Sequence, residues 1–373
     1  MFEILFDPYN YPFWIFIIAI LVGAIIVISR PFSTYVKFAY PNAKFEAVGN
    51  PFIKEKELNR LFDSKNLNEF KDSLNALKDY NIIGENAQEI QKSLDDALIQ
   101  TINLSKKDSS KEMYSFYNTY IEKIDIYLIK NTLKNKLHDK KIDESIIDSA
   151  ILQKTKNLLN EIITNEKEKI PELLKNYDFG EDVANAVSND EIDFLTLDTA
   201  IDKYIIEMFK KLKVPYNCEQ GKNKFINRMI DIINIKNLLR AKQLSYDEKT
   251  CINMFLGDGQ EISLWKYEEM SQTDQVSQLI SSLEGTSYFD ILKDSIEEYN
   301  KEGSVQVLEN SLDRLFIKFV EDISIQNYVN IGPTIRFLVS KEFEIRNLKI
   351  IAKSIEENIR LDIIKNFFIK EAS

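Results

Sequence analysis

Histidine is almost missing from this chain. One occurs, His138, beside 48 Lys or Arg and 59 Asp or Glu in 373 residues. Triads that turn on an imidazole, and zinc proteases of the H-E-x-x-H kind, lack their central group. His138 itself lies in the charged run Asn135-Lys-Leu-His-Asp-Lys-Lys141, which reads as a solvated helix end. Cysteine is nearly as scarce: Cys218 and Cys251 are too few and too isolated for a disulfide framework or a tetrahedral metal site, and they suit a reducing compartment. No Gly-x4-Gly-Lys-Ser/Thr loop occurs, which removes nucleotide binding by that route. The net charge of -11 argues against nucleic acid, because phosphate neutralisation needs a basic surface. With 10 glycines and 8 prolines, few breakers interrupt long windows, and an all-α fold follows. The one glycine-rich spot, Leu256-Gly-Asp-Gly-Gln260, reads as a turn whose Asp-Gly step requires positive φ. No residue is singled out as catalytic, and no cofactor, metal or small-molecule substrate is expected.

What is present begins with a hydrophobic run. Pro12 to Ser29 reads PFWIFIIAILVGAIIVIS without a charge. As a helix it spans roughly 27 Å, close to a hydrocarbon core. Trp14, Ile18, Leu21 and Ile25 are its expected anchor residues, with Tyr9, Tyr11 and Trp14 at the outer interface. Glu3 and Asp7 precede the run, whereas Arg30, Lys37 and Lys44 follow it, so the positive-inside rule puts the bulk of the chain on the cytoplasmic side of a single-pass anchor. A cleaved signal peptide would want a basic leader and a small-x-small site, and neither is evident. With no ionisable group at membrane depth, this segment anchors and does not conduct ions.

The remainder is repetitive. Ile124-Asp-Ile-Tyr-Leu-Ile-Lys-Asn-Thr-Leu-Lys-Asn-Lys136 and Ile230-Asp-Ile-Ile-Asn-Ile-Lys-Asn-Leu-Leu-Arg-Ala-Lys242 agree at eight of 13 positions. Phe343-Glu-Ile-Arg-Asn-Leu-Lys-Ile-Ile-Ala-Lys353 keeps the Ile-basic-Asn centre. An upstream motif keeps step with it: Ser93-Leu94-Asp95, Thr196-Leu197-Asp198 and Ser311-Leu312-Asp313. From each Leu to the later Ile129, Ile235 or Ile345 is 35, 38 or 33 residues. Three copies of one helical unit follow, over residues 35–137, 138–243 and 244–373, behind a segment 1–34. Apolar spacing inside a unit is helical, as in Ile201, Tyr204, Ile205, Met208, Phe209 and Leu212. Ile126, Ile129, Ile232, Ile235, Ile345 and Leu348 are expected core. The Ser or Thr before each Leu-Asp is a candidate N-cap, and Gly332-Pro333 marks the entry to a last long helix running past Lys353. Three such units can form an open solenoid or close into a pseudo-threefold ring or funnel.

Val339-Ser-Lys-Glu-Phe-Glu-Ile-Arg-Asn-Leu-Lys-Ile-Ile-Ala-Lys-Ser354 resembles the C-terminal signature of the C subunit of archaeal A-type ATP synthases, counterpart of the d subunit of eukaryotic V-ATPases. Asp231 to Lys242 looks like that family's middle motif, and Tyr40 to Ala47 more loosely like its N-terminal one. The resemblance implies three similar helical domains in a funnel on the cytoplasmic face of a proteolipid ring (K or c type). That funnel would receive the central-stalk subunits (D and F type) and pass torque without chemistry of its own. It does not extend to residues 1–34. The anchor is expected inside the ring, where it can turn with the rotor. Lys130, Asn131, Lys236, Asn237, Arg240, Arg346, Asn347 and Lys349 then have two readings. They face the stalk or ring, where charge pairs set registration, or the bases pair with nearby carboxylates such as Asp231, Glu342 and Glu344. A membrane-tethered helical scaffold for another soluble partner is the competing function; the Glu-x-Glu-Ile-Arg-Asn-Leu motif speaks against it.

Overall fold

The scarcity of glycine and proline has its structural counterpart in long, uninterrupted helices. A computed structural model describes residues 7–77, 79–188, 192–360, 364 and 367–369; Glu3 and the last four residues lie outside the described residues. Among the described residues seven helices reach 18 residues or more. They are α1 (Tyr11–Val48), α2 (Ala87–Asp108), α3 (Tyr114–Leu137), α4 (Phe194–Lys211), α5 (Glu219–Gln243), α6 (Gln306–Gln326) and α7 (Gly332–Glu356). Shorter helices fill the connections, and no strand occurs among the described residues.

From α2 to α7 each long helix packs on the next, and α7 packs back on α2, so six helices contact one another in a closed cycle. Residues 109–113, 212–218 and 327–331 join α2 to α3, α4 to α5 and α6 to α7. Connections this short make antiparallel hairpins. Their three turns therefore lie at one end of the cycle. The longer connections 138–193 and 244–305 lie at the other end, where Gln153–Thr164 packs on α3, Glu181–Ala186 on α4, Val276–Ser282 on α5 and Phe289–Asp294 on α6. The corresponding place beside α7 is taken by Leu67–Asn75, from the N-terminal part of the chain.

Apolar stripes at helical spacing hold the cycle together. Ile126, Ile129, Ile232, Ile235, Ile345 and Leu348 are all buried. Aromatic rings form a row near the three turns: Phe116 of α3 meets Phe209 of α4 at 6.1 Å, Phe209 meets Phe225 of α5 at 6.0 Å, and Phe225 meets Phe316 of α6 at 6.0 Å. Edge-on and tilted geometries of this kind are the favoured ones for ring pairs. Cys218 and Cys251 are free and buried, and burial pushes the Cys218 thiol up to about 12.

Helix starts differ from the expectation. Ser93, Thr196 and Ser311 lie inside α2, α4 and α6 and cap nothing. Asn86 caps α2 by accepting from Glu89 N–H, while Glu89 accepts from Glu85 N–H at 2.8 Å, a reciprocal arrangement that fixes the start upstream of Ser93. Asp193 caps α4 by accepting from Leu195 N–H. Gly332-Pro333 opens α7 as expected, for a steric reason: a Cβ on Gly332 would come within 2.8 Å of Asn327 O and of Ser324 Cα. The Asp258-Gly259 step also differs. Positive φ belongs to Gly257, at +111°, whereas Gly259 is needed because a Cβ there would lie 1.8 Å from Asp231 Oδ1.

α1 is divided by environment and not by backbone. Its 38 residues would extend roughly 57 Å. The first part is apolar, with a mean hydropathy of 2.7 over an 18-residue window of which 0% is buried, which makes it a candidate membrane span. Trp14, Ile18, Leu21 and Ile25 are exposed at 36, 57, 56 and 65%. Further along, Thr34, Phe38, Pro41, Asn42 and Phe45 form one buried stripe at i, i+4, i+7, i+8 and i+11. Phe45 stacks on Phe337 of α7 at 4.5 Å. Pro31 and Pro41 each remove one backbone donor, yet the helix runs through both.

Candidate functional site

The recurrent basic motif occupies the second helix of each hairpin, in its half far from the turns. Spacing of three or four residues brings paired bases to one helix face. Lys130 and Lys134 of α3 reach α4, with Lys130 Nζ 3.3 Å from Asp198 and 3.6 Å from Asp202, and Lys134 Nζ 2.6 Å from Asp198. Lys236 and Arg240 of α5 reach α6. Lys236 Nζ lies 2.5 Å from Asp313, and Arg240 grips Glu309 through Nε and an Nη at 2.5 and 2.8 Å. Lys349 of α7 reaches back to Asp95 of α2 at 2.5 Å, closing the cycle. Arg346 adds a 2.8 Å bond to Asp313. Asp198, Asp313 and Asp95 are the acids of the upstream Leu-Asp motif, with Asp202 and Glu309 about one turn away on the same helices, so the two repeated motifs are two halves of one clamp.

The electrostatics follow from burial. Asp313 is only 4% exposed; burial works against its charge, but Lys236 and Arg346 outweigh it and hold its carboxyl below the usual range. Burial pushes Asp202 up, with Asp198 adding to it against the pull of Lys130. Burial likewise raises Asp95, opposed by Lys349. The hydrogen bonds to Glu309 raise Arg240. Tyr127 of α3 stands at the middle of this layer, 36% exposed, and its hydroxyl is raised by the crowding of the surrounding helices and by Asp202, Glu342 and Asp313 from three of them.

The carboxylates anticipated as partners do other work. Asp231 accepts N–H bonds from Gln260, Glu261 and Ile262 at 2.9 to 3.0 Å and the Tyr288 hydroxyl at 2.7 Å. Asp125, its counterpart in the first motif, accepts from Ile151 and Leu152 N–H. Glu344, the third counterpart, accepts from Tyr80 OH and Lys341. These three hold the connecting segments onto the long helices. Glu342 pairs with Lys123 at 2.7 Å. The asparagines diverge: Asn131 is exposed, Asn237 is buried and donates to Thr199 Oγ1, and Asn347 is buried and donates to Ile369 O at 2.7 Å.

His138 ends α3, exposed and stacked on Phe194 at 4.0 Å. Among the described residues no group of three His, Cys, Asp or Glu side chains is disposed to hold a metal ion. An open cleft of about 520 Å³ lies at the turn end, between residues 214–220 and 326–330.

Residues 41–367 match the family described as ATP synthase (C/AC39) subunit. The chain belongs to that family. Curated relatives agree with the assignment. The A-type ATP synthase C subunit from Methanobrevibacter smithii is 30% identical over 354 residues, covering 91% of this chain and 90% of the relative. Those of Methanosphaera stadtmanae and Pyrococcus abyssi are 28% and 26% identical, at 91% and 89% of this chain and 89% and 90% of theirs. The family match starts inside α1, at residue 41, and leaves the apolar run outside it. Both repeated motifs and every clamp residue fall within it.

Proposed function

We propose that this chain is the non-catalytic rotor subunit that couples the central stalk of an A-type ATP synthase to its membrane proteolipid ring. The family match across residues 41–367 carries the reading. In it, the three repeats over 35–137, 138–243 and 244–373 stand about a pseudo-threefold axis. Two features support that arrangement: the cyclic contacts of α2 to α7, and a clamp that repeats three times and returns to its start. The turn end carries α1 and faces the membrane, with the body on the cytoplasmic side, as the bases Arg30, Lys37 and Lys44 after the apolar run suggest.

The opposite end, with the ionic layer, faces the stalk subunits of D and F type. Lys130 and Lys236 serve mainly to lock neighbouring helices. Arg240, Arg346 and Lys349, with side chains 35, 43 and 30% exposed, and Asn131 are the members placed to meet the stalk. A body cross-braced by ion pairs suits a part that transmits torque, since packed and paired helices have few soft modes.

The test is a pull-down from membranes solubilised in mild detergent, using a C-terminal tag, with partners identified by mass spectrometry. Recovery of ring proteolipid together with stalk subunits is the expected result. A clean preparation holding neither would discard the rotor role in favour of a tethered scaffold.

A further inference from the structure

α1 touches all three hairpin turns within a short stretch. Lys37 pairs with Glu112 in the first turn at 2.7 Å, and Lys44 with Asp108 at its edge. Thr34 Oγ1 donates to Tyr216 O in the second at 3.0 Å, where Arg30 also lies over the Tyr216 ring. Asn42 Nδ2 donates to Tyr328 O and Asn330 O in the third, at 2.7 and 3.0 Å. One helix thus bridges three turns at one end of the helical cycle, meeting them along a single buried stripe from Thr34 to Phe45. Beyond the turns the same helix continues to Tyr11, with Pro31 removing one backbone donor at the junction.

We propose that α1 is a coaxial spindle: its lower half is keyed to the three turns, and its upper half stands on the axis of the body, enclosed by the inner helices of a closed transmembrane ring. The proposal rests on the rotor reading above and adds, to the expected place of the anchor inside the ring, its keying to the three turns and the all-round face that meets the ring. The upper half has no polar side. Ile15, Phe16, Ile18, Ile20, Leu21 and Val22 point in every direction around the helix, all at least 49% exposed. A helix apolar all round is one buried on every side, as a membrane span is.

A second observation marks the surrounding surface. At the level where α1 leaves the body, Phe32, Tyr35, Tyr216, Ile325, Tyr328 and Val329 are exposed at 46 to 68%, on α1 and around two of the turns. Aromatic and apolar groups gathered at the foot of a membrane helix fit a membrane-facing surface. Rotation supplies the remaining constraint. A helix fixed to a turning body but off its axis would sweep through lipid and meet stationary subunits, while one on the axis spins in place.

The experiment places a photoreactive side chain at Ile20, Leu21, Val22 or Ile25, one at a time, in the intact complex purified through the C-terminal tag. These positions are exposed, so the substitutions leave the fold unchanged. Successive residues point about 100° apart. Irradiation is expected to shift the chain by the mass of one ring proteolipid from every position. Several results would overturn the spindle while leaving the rotor reading intact: adducts from one face only, adducts with a stationary membrane subunit, adducts with lipid alone, or adducts with a second copy of this chain through the Ala19 and Gly23 side. A preparation that contains no proteolipid before irradiation would refute the rotor reading, and the spindle with it.

Discussion

At the contact between α5 and α6, two bases of one helix close on carboxylates that are each 4% exposed, and Arg346 adds a third base. At the contact between α7 and α2, one lysine meets one aspartate, with side chains 30 and 29% exposed. The same repeated motif therefore makes a tight internal seam and a looser closing one. The closing seam is also where distant parts of the chain meet. Leu67–Asn75 packs on α7, and from the C-terminal end Phe368 lies 4.8 Å from Phe62 while Asn347 holds Ile369. Packing from both ends of the chain replaces charge where the cycle closes.

Asp313 is the residue on which the difference between the two seams rests most heavily. Replacing it with alanine strands Lys236 and Arg346, and the unfolding free energy is expected to drop by about 3 kcal/mol. Urea unfolding of the full chain in detergent, followed by far-UV circular dichroism, reads this; a drop below about 1 kcal/mol would put the two seams on a level. Next comes Asn347→Ala, which leaves Ile369 O without its donor at a buried site and is expected to cost about 1 to 2 kcal/mol in the same assay. It is also expected to speed proteolysis of the C-terminal segment, and unchanged cleavage would show that Asn347 does not secure the closing seam. Asp95→Asn is the mildest, shifting stability by less than about 1 kcal/mol, because its pair is part-exposed.

Acidification sharpens the contrast through its sign. Asp313 titrates below its ordinary value of 3.8 when folded. Its contribution is therefore present above that unfolded value and is lost only as pH falls through the lower folded one. Asp95 titrates above 3.8 when folded, so the folded chain takes up this proton first and acid favours the closing seam. As pH is lowered toward 3.8 the penalty of Asp313→Asn should persist while any effect of Asp95→Asn shrinks. Equal acid responses from the two variants would remove the distinction.

Much of this was legible in the sequence because it is local or periodic. Ile126, Ile232 and Ile345 declared themselves as core through helical spacing, and Gly332-Pro333 marked the start of α7. The recurrence of Lys130, Lys236 and Arg346 was equally plain. Their partners were not. Lys349 and Asp95 are 254 residues apart, and only the closure of the helical cycle brings them together. Asp231 looked like an ion-pair partner because it neighbours the bases along the chain, but helix periodicity turns it onto the segment around Gly259. The asparagine that recurs in sequence does not recur in environment, since Asn131 faces solvent where Asn237 and Asn347 are enclosed.

The unbroken backbone of α1 makes its two halves unequal in their tolerance of length. One residue inserted after Ser29 would turn everything before it by about 100° and lift it about 1.5 Å relative to the body. The apolar half presents a similar surface at every angle, so evolution can add or drop a residue there and change little. The same insertion between Thr34 and Asn42 would throw one set of keyed contacts out of phase with the other. Among related chains that carry this helix, the stretch above Arg30 should vary in length and the stretch from Thr34 to Phe45 should not.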